Sequence, residues 1–244
     1  MPTAPRGIAL VTGGARRIGR VLVRTCAEAG YDVAIHCRQI DPDAESAAAE
    51  VMALGRRALL IPADLGIEAE TTDLLDSVCR DLGPVTLLVN SASLFEEDHF
   101  SSMDLAGWQA HMQINLRLPL ILSQAMSRQL SGSQTGLIVN LIDQRVLHPR
   151  PEFFSYSLSK TALWDATQMM ALDLAPTIRV NAIAPGPVLR SIHQSEADFA
   201  AEAAQTPLAR SVDPAEIGQA LIYLIGAPSV TGQMICVDAG QHLT

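Results

Sequence analysis

The chain has 244 residues, 48% of them hydrophobic and 18% charged, which is enough apolar material for one large core and too little charge for wholesale disorder. Seventeen Lys and Arg against 26 Asp and Glu leave a formal charge of −9, which repels a phosphate backbone and argues against nucleic acid as a partner. No apolar run approaches the roughly 18–20 residues that span a bilayer, residues 7–11 are too short for an export leader, and Cys26, Cys37, Cys79 and Cys236 show no CxxC spacing. A cytoplasmic protein with reduced thiols, no membrane partner and no metal is expected.

Taken in chain order, short apolar runs predict strands at residues 8–12, 33–36, 58–62, 86–90, 137–142, 180–184 and 234–237. Helical patterns fall between them at 17–29, 44–54, 68–82, 105–129, 154–174 and 214–224. This alternation predicts an α/β fold: a single doubly wound Rossmann-type domain over residues 1–244, with a seven-stranded parallel sheet flanked by helices. Residues 189–207 read as polar and irregular. Ligands of such sheets bind beyond the carboxyl ends of the strands, so the residues just after each strand are where function should lie.

After the first strand comes Thr12-Gly13-Gly14-Ala15-Arg16-Arg17-Ile18-Gly19. A glycine-rich turn leading into a helix lets backbone N–H groups approach a pyrophosphate at the positive helix end, so Gly13, Arg16, Arg17, Ile18 and Gly19 are candidate dinucleotide-binding residues. The second strand ends His36-Cys37-Arg38-Gln39, with no acid before Asp41. A carboxylate there would serve the ribose of NAD, whereas arginine forms a forked pair with a ribose phosphate. Arg16, Arg17 and Arg38 therefore favour NADPH, although solvated surface charges are the plainer alternative. Asp64, after the third strand, is placed either to meet an adenine amino group or to cap a turn.

Farther along, Tyr156 and Lys160 are four residues apart and share one helix face. An ammonium favours phenolate, so Lys160, with help from an oxidised nicotinamide, is expected to lower the Tyr156 pKa toward neutrality.

Together TGGARRIG, Asn90 to Ser93 (NSAS), Asn115, Tyr156/Lys160 and Asn181 to Gly186 (NAIAPG) resemble the short-chain dehydrogenase/reductase family from about residue 7 to Gly240. The resemblance implies that Asn115 helps hold a proton-relay water, that Tyr156 is the acid, and that Lys160 binds ribose and tunes Tyr156. It also implies that Pro185 and Gly186 lie beside the nicotinamide, and that His36, Leu65, Asn90, Ser91, Ala92 and Leu141 join the cofactor site. A substrate lid would follow the Pro-Gly motif. Similar proteins are usually homodimers or homotetramers packed through the helices bearing Asn115 and Tyr156.

Three departures from the family pattern stand out. Arg17 replaces the middle glycine of TGxxxGxG, NNAG becomes Asn90-Ser91-Ala92-Ser93, and Asp143 stands where a serine usually precedes the tyrosine by thirteen residues. Each is similar to the pteridine reductase branch, which includes dihydromonapterin and dihydrofolate reductases. In that branch Ser93 and Phe95 would contact substrate, Phe95 stacking a flat pterin against nicotinamide. The chemistry agrees, because an ionised Asp143 accepts hydrogen bonds only and repels the oxyanion of ketone reduction. It instead stabilises the cationic character of a C=N bond gaining a proton. Asp143 also opposes ionisation of Tyr156, so the two should titrate as a unit. An NADPH-dependent reductase of a dihydropterin or dihydrofolate is expected. A carbonyl reductase of the same family and, more remotely, a non-catalytic NADP-binding regulator remain open.

Overall fold

The computed structural model describes residues 4–191 and 194–244. Seven parallel strands, β1 (Ile8–Val11), β2 (Asp32–Cys37), β3 (Ala58–Pro62), β4 (Val85–Asn90), β5 (Gly136–Leu141), β6 (Ile178–Pro185) and β7 (Met234–Val237), form one sheet in the order β3-β2-β1-β4-β5-β6-β7. Both faces are covered, which is why the strands read as apolar runs. Side chains alternate between two cores: Ala9 and Val11 point to one, and Ile8 and Leu10 to the other. On the first face α1 (Arg17–Glu28), α2 (Pro42–Ala53) and α9 (Pro214–Gly226) contribute Leu22, Val51 and Leu221. On the second, α4 (Leu74–Asp81), α6 (Leu118–Gln129) and α7 (Phe154–Asp173) contribute Leu75, Leu122 and Ala171. The order reverses between β1 and β4, which opens a crevice at their carboxyl ends.

Three elements differ from expectation. The helix read at 68–82 is divided at Asp73 into α3 (Glu68–Thr72) and α4. The helix read at 105–129 is α5 (Leu105–His111) and α6 joined by a π-helical stretch, Met112–Arg117, that holds Asn115. Such widened turns often occur at functional positions, and hydrophobic period does not reveal them. The segment read as irregular carries α8 (Glu196–Gln205), which starts in a reciprocal cap: Asp198 N–H donates to Ser195 Oγ, and Ser195 N–H to the Asp198 carboxylate. The Ser-x-x-Asp pattern was the available signal. No helix among the described residues is long and apolar enough to cross a membrane.

Candidate active site

At the crevice, Gly13 adopts φ +65 and its N–H donates to His36 Nδ1 at 3.0 Å. The other ring nitrogen lies 3.0 Å from Ala63 O, so the proton sits on Nε2 and donates there. Burial lowers the His36 pKa and keeps the ring neutral. A Cβ on Gly19 would fall 2.0 Å from Gly13 O, so only glycine lets α1 start this close to the turn. Arg17, where the family pattern has glycine, adopts left-handed backbone, φ 51, at a cost of roughly 1–2 kcal/mol. Its guanidinium donates to the carbonyls of Leu189 and Arg190. The start of α1 has no side-chain cap and no acid in its first turn, which leaves its N–H groups available to an anion.

The arginines expected at the adenosine end are engaged within the protein. Arg16 bonds Asp41 at 2.5 Å and Asp43 at 2.6 Å, and Arg38 bonds Asp64 at 2.9 Å. Asp64 also accepts the Gly66 N–H, so it serves as a turn residue as well. These pairs are largely exposed and contribute about 0–1 kcal/mol each, so exchanging carboxylate for phosphate is inexpensive.

A cavity of about 610 Å³ runs from these arginines to Tyr156 and Lys160. It brings together all the predicted cofactor residues except Asn90: Gly13, Arg16, Arg17, Ile18 and Gly19 of the turn, His36, Arg38, Asp64 and Leu65, then Ser91, Ala92, Leu141, Tyr156, Lys160, Pro185 and Gly186. Asn90 lies behind the wall, donating to Asn140 Oδ1 at 2.8 Å. Asn115 is also off the wall. Its amide bonds Leu94 O and Ser159 Oγ, and its oxygen accepts from Leu94 N–H and Ser93 Oγ, leaving the side chain little capacity for water. Thr12, not anticipated as a site residue, ties β1 to the NSAS segment by accepting the N–H groups of Ser91 and Ala92.

The predicted substrate residues Ser93, Phe95, Asp143 and Tyr156 line the same cavity. The Tyr156 hydroxyl donates to Asp143 Oδ2 at 2.8 Å, and Asp143 Oδ1 accepts the Arg145 N–H at 2.9 Å. Burial raises the pKa of both groups, and for Tyr156 the Asp143 charge adds to it, placing the phenol well above its ordinary value. The lowering expected from Lys160 is thus not found: desolvation and the adjacent carboxylate dominate, and the charge that opposes them is that of Arg145. Lys160 donates to Leu141 O at 2.8 Å, and burial brings its pKa down to about 8. Phe95 lies edge-on to Tyr156 and stacks on Phe153, with ring centroids 4.2 Å apart. Neither Phe153 nor Arg145 was singled out from sequence, since neither belongs to a motif.

Cys236, Asp238 and His242 also approach one another within 4.8 Å. The Asp238 carboxylate is spent on the N–H groups of Gly240 and His242 and on His242 Nδ1, a use that accounts for the cluster as a C-terminal turn.

The sequence model for short chain dehydrogenase matches residues 7–200. The structure of FolM alternative dihydrofolate reductase 1 from Brucella suis, solved with NADP, is 44% identical with a TM-score of 0.93, covering 100% of this chain and 96% of that one. Its Brucella canis counterpart, also complexed with NADP, is 44% identical with a TM-score of 0.91 over 98% and 95% of the two chains. A 3-oxoacyl-acyl-carrier-protein reductase of Synechocystis is 28% identical over 96% of each chain. With the motif order, the crevice at the β1/β4 reversal and a family match over most of its length, the chain belongs to the short chain dehydrogenase family.

Proposed function

We propose that this protein is an NADPH-dependent reductase of a dihydropterin or dihydrofolate. The observation that carries the reading is the Tyr156–Asp143 pair, a buried phenol donating at 2.8 Å to a half-buried carboxylate. A ketone's developing oxyanion needs donors, and a carboxylate at that place supplies only repulsion. A ring C=N bond needs a proton at nitrogen and gains cationic character, which the same carboxylate favours.

The cavity fits a dinucleotide phosphate. Gly13 and Gly19 admit a pyrophosphate against the uncapped start of α1, and Arg16 and Arg38 offer guanidinium groups to a ribose phosphate. The two Brucella structures, similar over nearly the whole chain, were both solved with NADP. When bound, the reduced nicotinamide supplies the hydride. Lys160, anchored on Leu141 O with its Nζ 5.7 Å from the Tyr156 ring centroid, would hold the ribose hydroxyls. Tyr156 keeps its proton at neutral pH and delivers it to the substrate nitrogen, while Asp143 orients the hydroxyl and shares the proton. Phe95 offers an aromatic wall to the flat ring. Asn115 acts by fixing the Ser93–Leu94 segment rather than by touching substrate.

Four free cysteines fit a reducing cytoplasm. Phe100, Leu105, Met169 and Leu172, exposed on and beside α5 and α7, fit a homo-oligomer packed through those helices.

The test is consumption of NADPH with dihydropterins, dihydrofolate and a panel of ketones that includes a 3-oxoacyl thioester. Turnover of the pteridines, reduced by about 10²–10⁴ in Tyr156→Phe, supports the proposal. Efficient reduction of ketones with every pteridine ignored would replace it with the carbonyl-reductase reading that the Synechocystis relative suggests.

A further inference from the structure

A second cavity of about 310 Å³ adjoins the first and shares Phe95, Asp143, Pro185 and Gly186 with it. Among the described residues, the charged groups that line it are Arg17, Glu97, Asp143, Arg145 and Glu202. The acids are engaged within the protein: Glu97 faces His99 at 3.9 Å, Glu202 accepts from the amides of Gln194 and Gln241, and Asp143 holds Tyr156 and the Arg145 N–H. Arg17 spends its Nη groups on backbone carbonyls. Arg145 differs, because its Nη1 is shielded from water and meets no hydrogen-bond acceptor.

Burying a guanidinium donor without an acceptor is costly, and an Arg so placed is relieved best by a carboxylate, whose two oxygens match its fork. The side chain is also held in place. Its guanidinium carbon lies 5.0 Å from the Phe153 ring centroid, and Phe153 stacks on Phe95 at 4.2 Å. Phe153 itself occupies left-handed backbone, φ 56 and ψ 47, a conformation that a bulky residue keeps only where its surroundings impose it. The guanidinium carbon therefore lies no farther from the Phe95 ring than these two distances combined, about the reach of one aromatic spacer.

We infer that Arg145 is a specificity residue that binds the carboxylate of a substrate's anionic tail. The inference rests on the pteridine-reducing proposal and narrows it. Dihydrofolate carries carboxylates on a glutamate beyond an aminobenzoyl spacer, whereas dihydropterins with short polyol side chains carry no anion. In an acidic chain whose cavity acids would repel such a tail, Arg145 supplies the charge that admits it.

The test compares kcat/KM for dihydrofolate with kcat/KM for a dihydropterin bearing a neutral side chain. The ratio of the two is expected to fall about tenfold in Arg145→Met and to be partly restored in Arg145→Lys. Taking the ratio cancels any common effect transmitted through Asp143, whose carboxylate the Arg145 N–H holds. Binding of 4-aminobenzoyl-glutamate, measured by calorimetry on the NADPH-loaded protein, is expected to weaken by a similar factor in Arg145→Met, and this readout requires no turnover. An unchanged ratio, including a parallel loss on both substrates, overturns the inference while leaving the pteridine reading intact, as does undiminished binding of 4-aminobenzoyl-glutamate. Failure of the unmodified protein to reduce either compound overturns both and is seen before any variant is made.

Discussion

Replacing Asp143 by Asn keeps the outline of the side chain and removes its charge, which isolates the electrostatic half of the Tyr156–Asp143 pair. A phenolate and a carboxylate whose charge centres lie about 4 Å apart repel by about 4 kcal/mol at an effective dielectric near 20, roughly a thousandfold in the phenol–phenolate equilibrium. The hydrogen bond of 2.8 Å places the pair in that range. Asp143→Asn should therefore let Tyr156 ionise at lower pH, seen as an earlier onset of phenolate absorbance against the background of Tyr31 and Tyr223. Turnover on a dihydropterin should fall by about 10²–10⁴, the usual worth of a proton-transfer group. Stability should move the other way. Burial raises the folded Asp143 pKa above the ordinary 3.8, so over that interval the unfolded chain has released a proton that the folded chain retains, and stability falls as pH rises. At neutral pH the ionised carboxylate is thus a net cost, and Asp143→Asn should raise Tm, by about 2–4 °C for each 1 kcal/mol in a chain of this size. Turnover within twofold of the unmodified enzyme, or a Tyr156 titration that does not move, would refute the reasoning.

At the adenosine end, Arg38→Asp substitutes a repelling charge for a phosphate partner and should weaken NADPH binding at least about tenfold while sparing NADH, as read by fluorescence titration. Equal affinities of the unmodified protein for the two cofactors would sink the phosphate assignment. Gly19→Ala puts a methyl group 2.0 Å from a backbone oxygen that no rotamer change can clear; it should cost on the order of 1–3 kcal/mol in urea melts and abolish detectable NADPH binding, and an unaltered melt would contradict the geometry. His36 is buried neutral with its pKa lowered from 6.5, so an unfolded chain takes up a proton that the folded chain resists. Stability should decline as pH drops below about 6.5 toward the folded value, with a shallower decline in His36→Asn; equal slopes would show that other groups dominate.

How much of this was legible in sequence depends on the range of the interaction. The five inner strands were readable because they are buried on both faces, a requirement that writes itself locally as Leu87-Leu88-Val89 or Val180 to Ala184, while the half-buried edge strands β3 and β7 were readable as short apolar runs between turns. That the predicted cofactor residues would line one cavity was readable because they sit at strand ends in family order. Asn90 and Asn115 were recognisable as motif residues, yet their contacts behind the cavity wall depend on Asn140, Ser159 and the Ser93–Leu94 backbone, partners more than 20 residues away in the chain. The π-helical stretch at Met112–Arg117 is little more than one widened turn inside a longer apolar pattern, too short to show a period of its own, so it was not visible. Helix α8 was missed for a different reason. Its apolar face is short and Ala-rich, with only Ala203 buried among its residues, and the one strong local signal was the Ser195–Asp198 cap.

Arg17 shows how a departure from the family pattern joins two parts of the site. A glycine there would take the left-handed conformation freely, and arginine takes the same conformation at a cost of roughly 1–2 kcal/mol. What the cost accompanies is a tether: the guanidinium on the phosphate turn donates to the carbonyls of Leu189 and Arg190, at the start of the segment that leads to α8. Leu189, Ser191, Phe199 and Glu202 line the second cavity together with Phe153 and Arg145. The turn that would receive the cofactor phosphates is thereby linked, through a single side chain, to the wall that would close over the substrate. Substitution of the family glycine by arginine and of the family serine by Asp143 then address separate requirements of one reaction. Under the proposed function the first would tie the substrate side of the cavity to the cofactor turn, and the second would set the proton chemistry at the reacting bond.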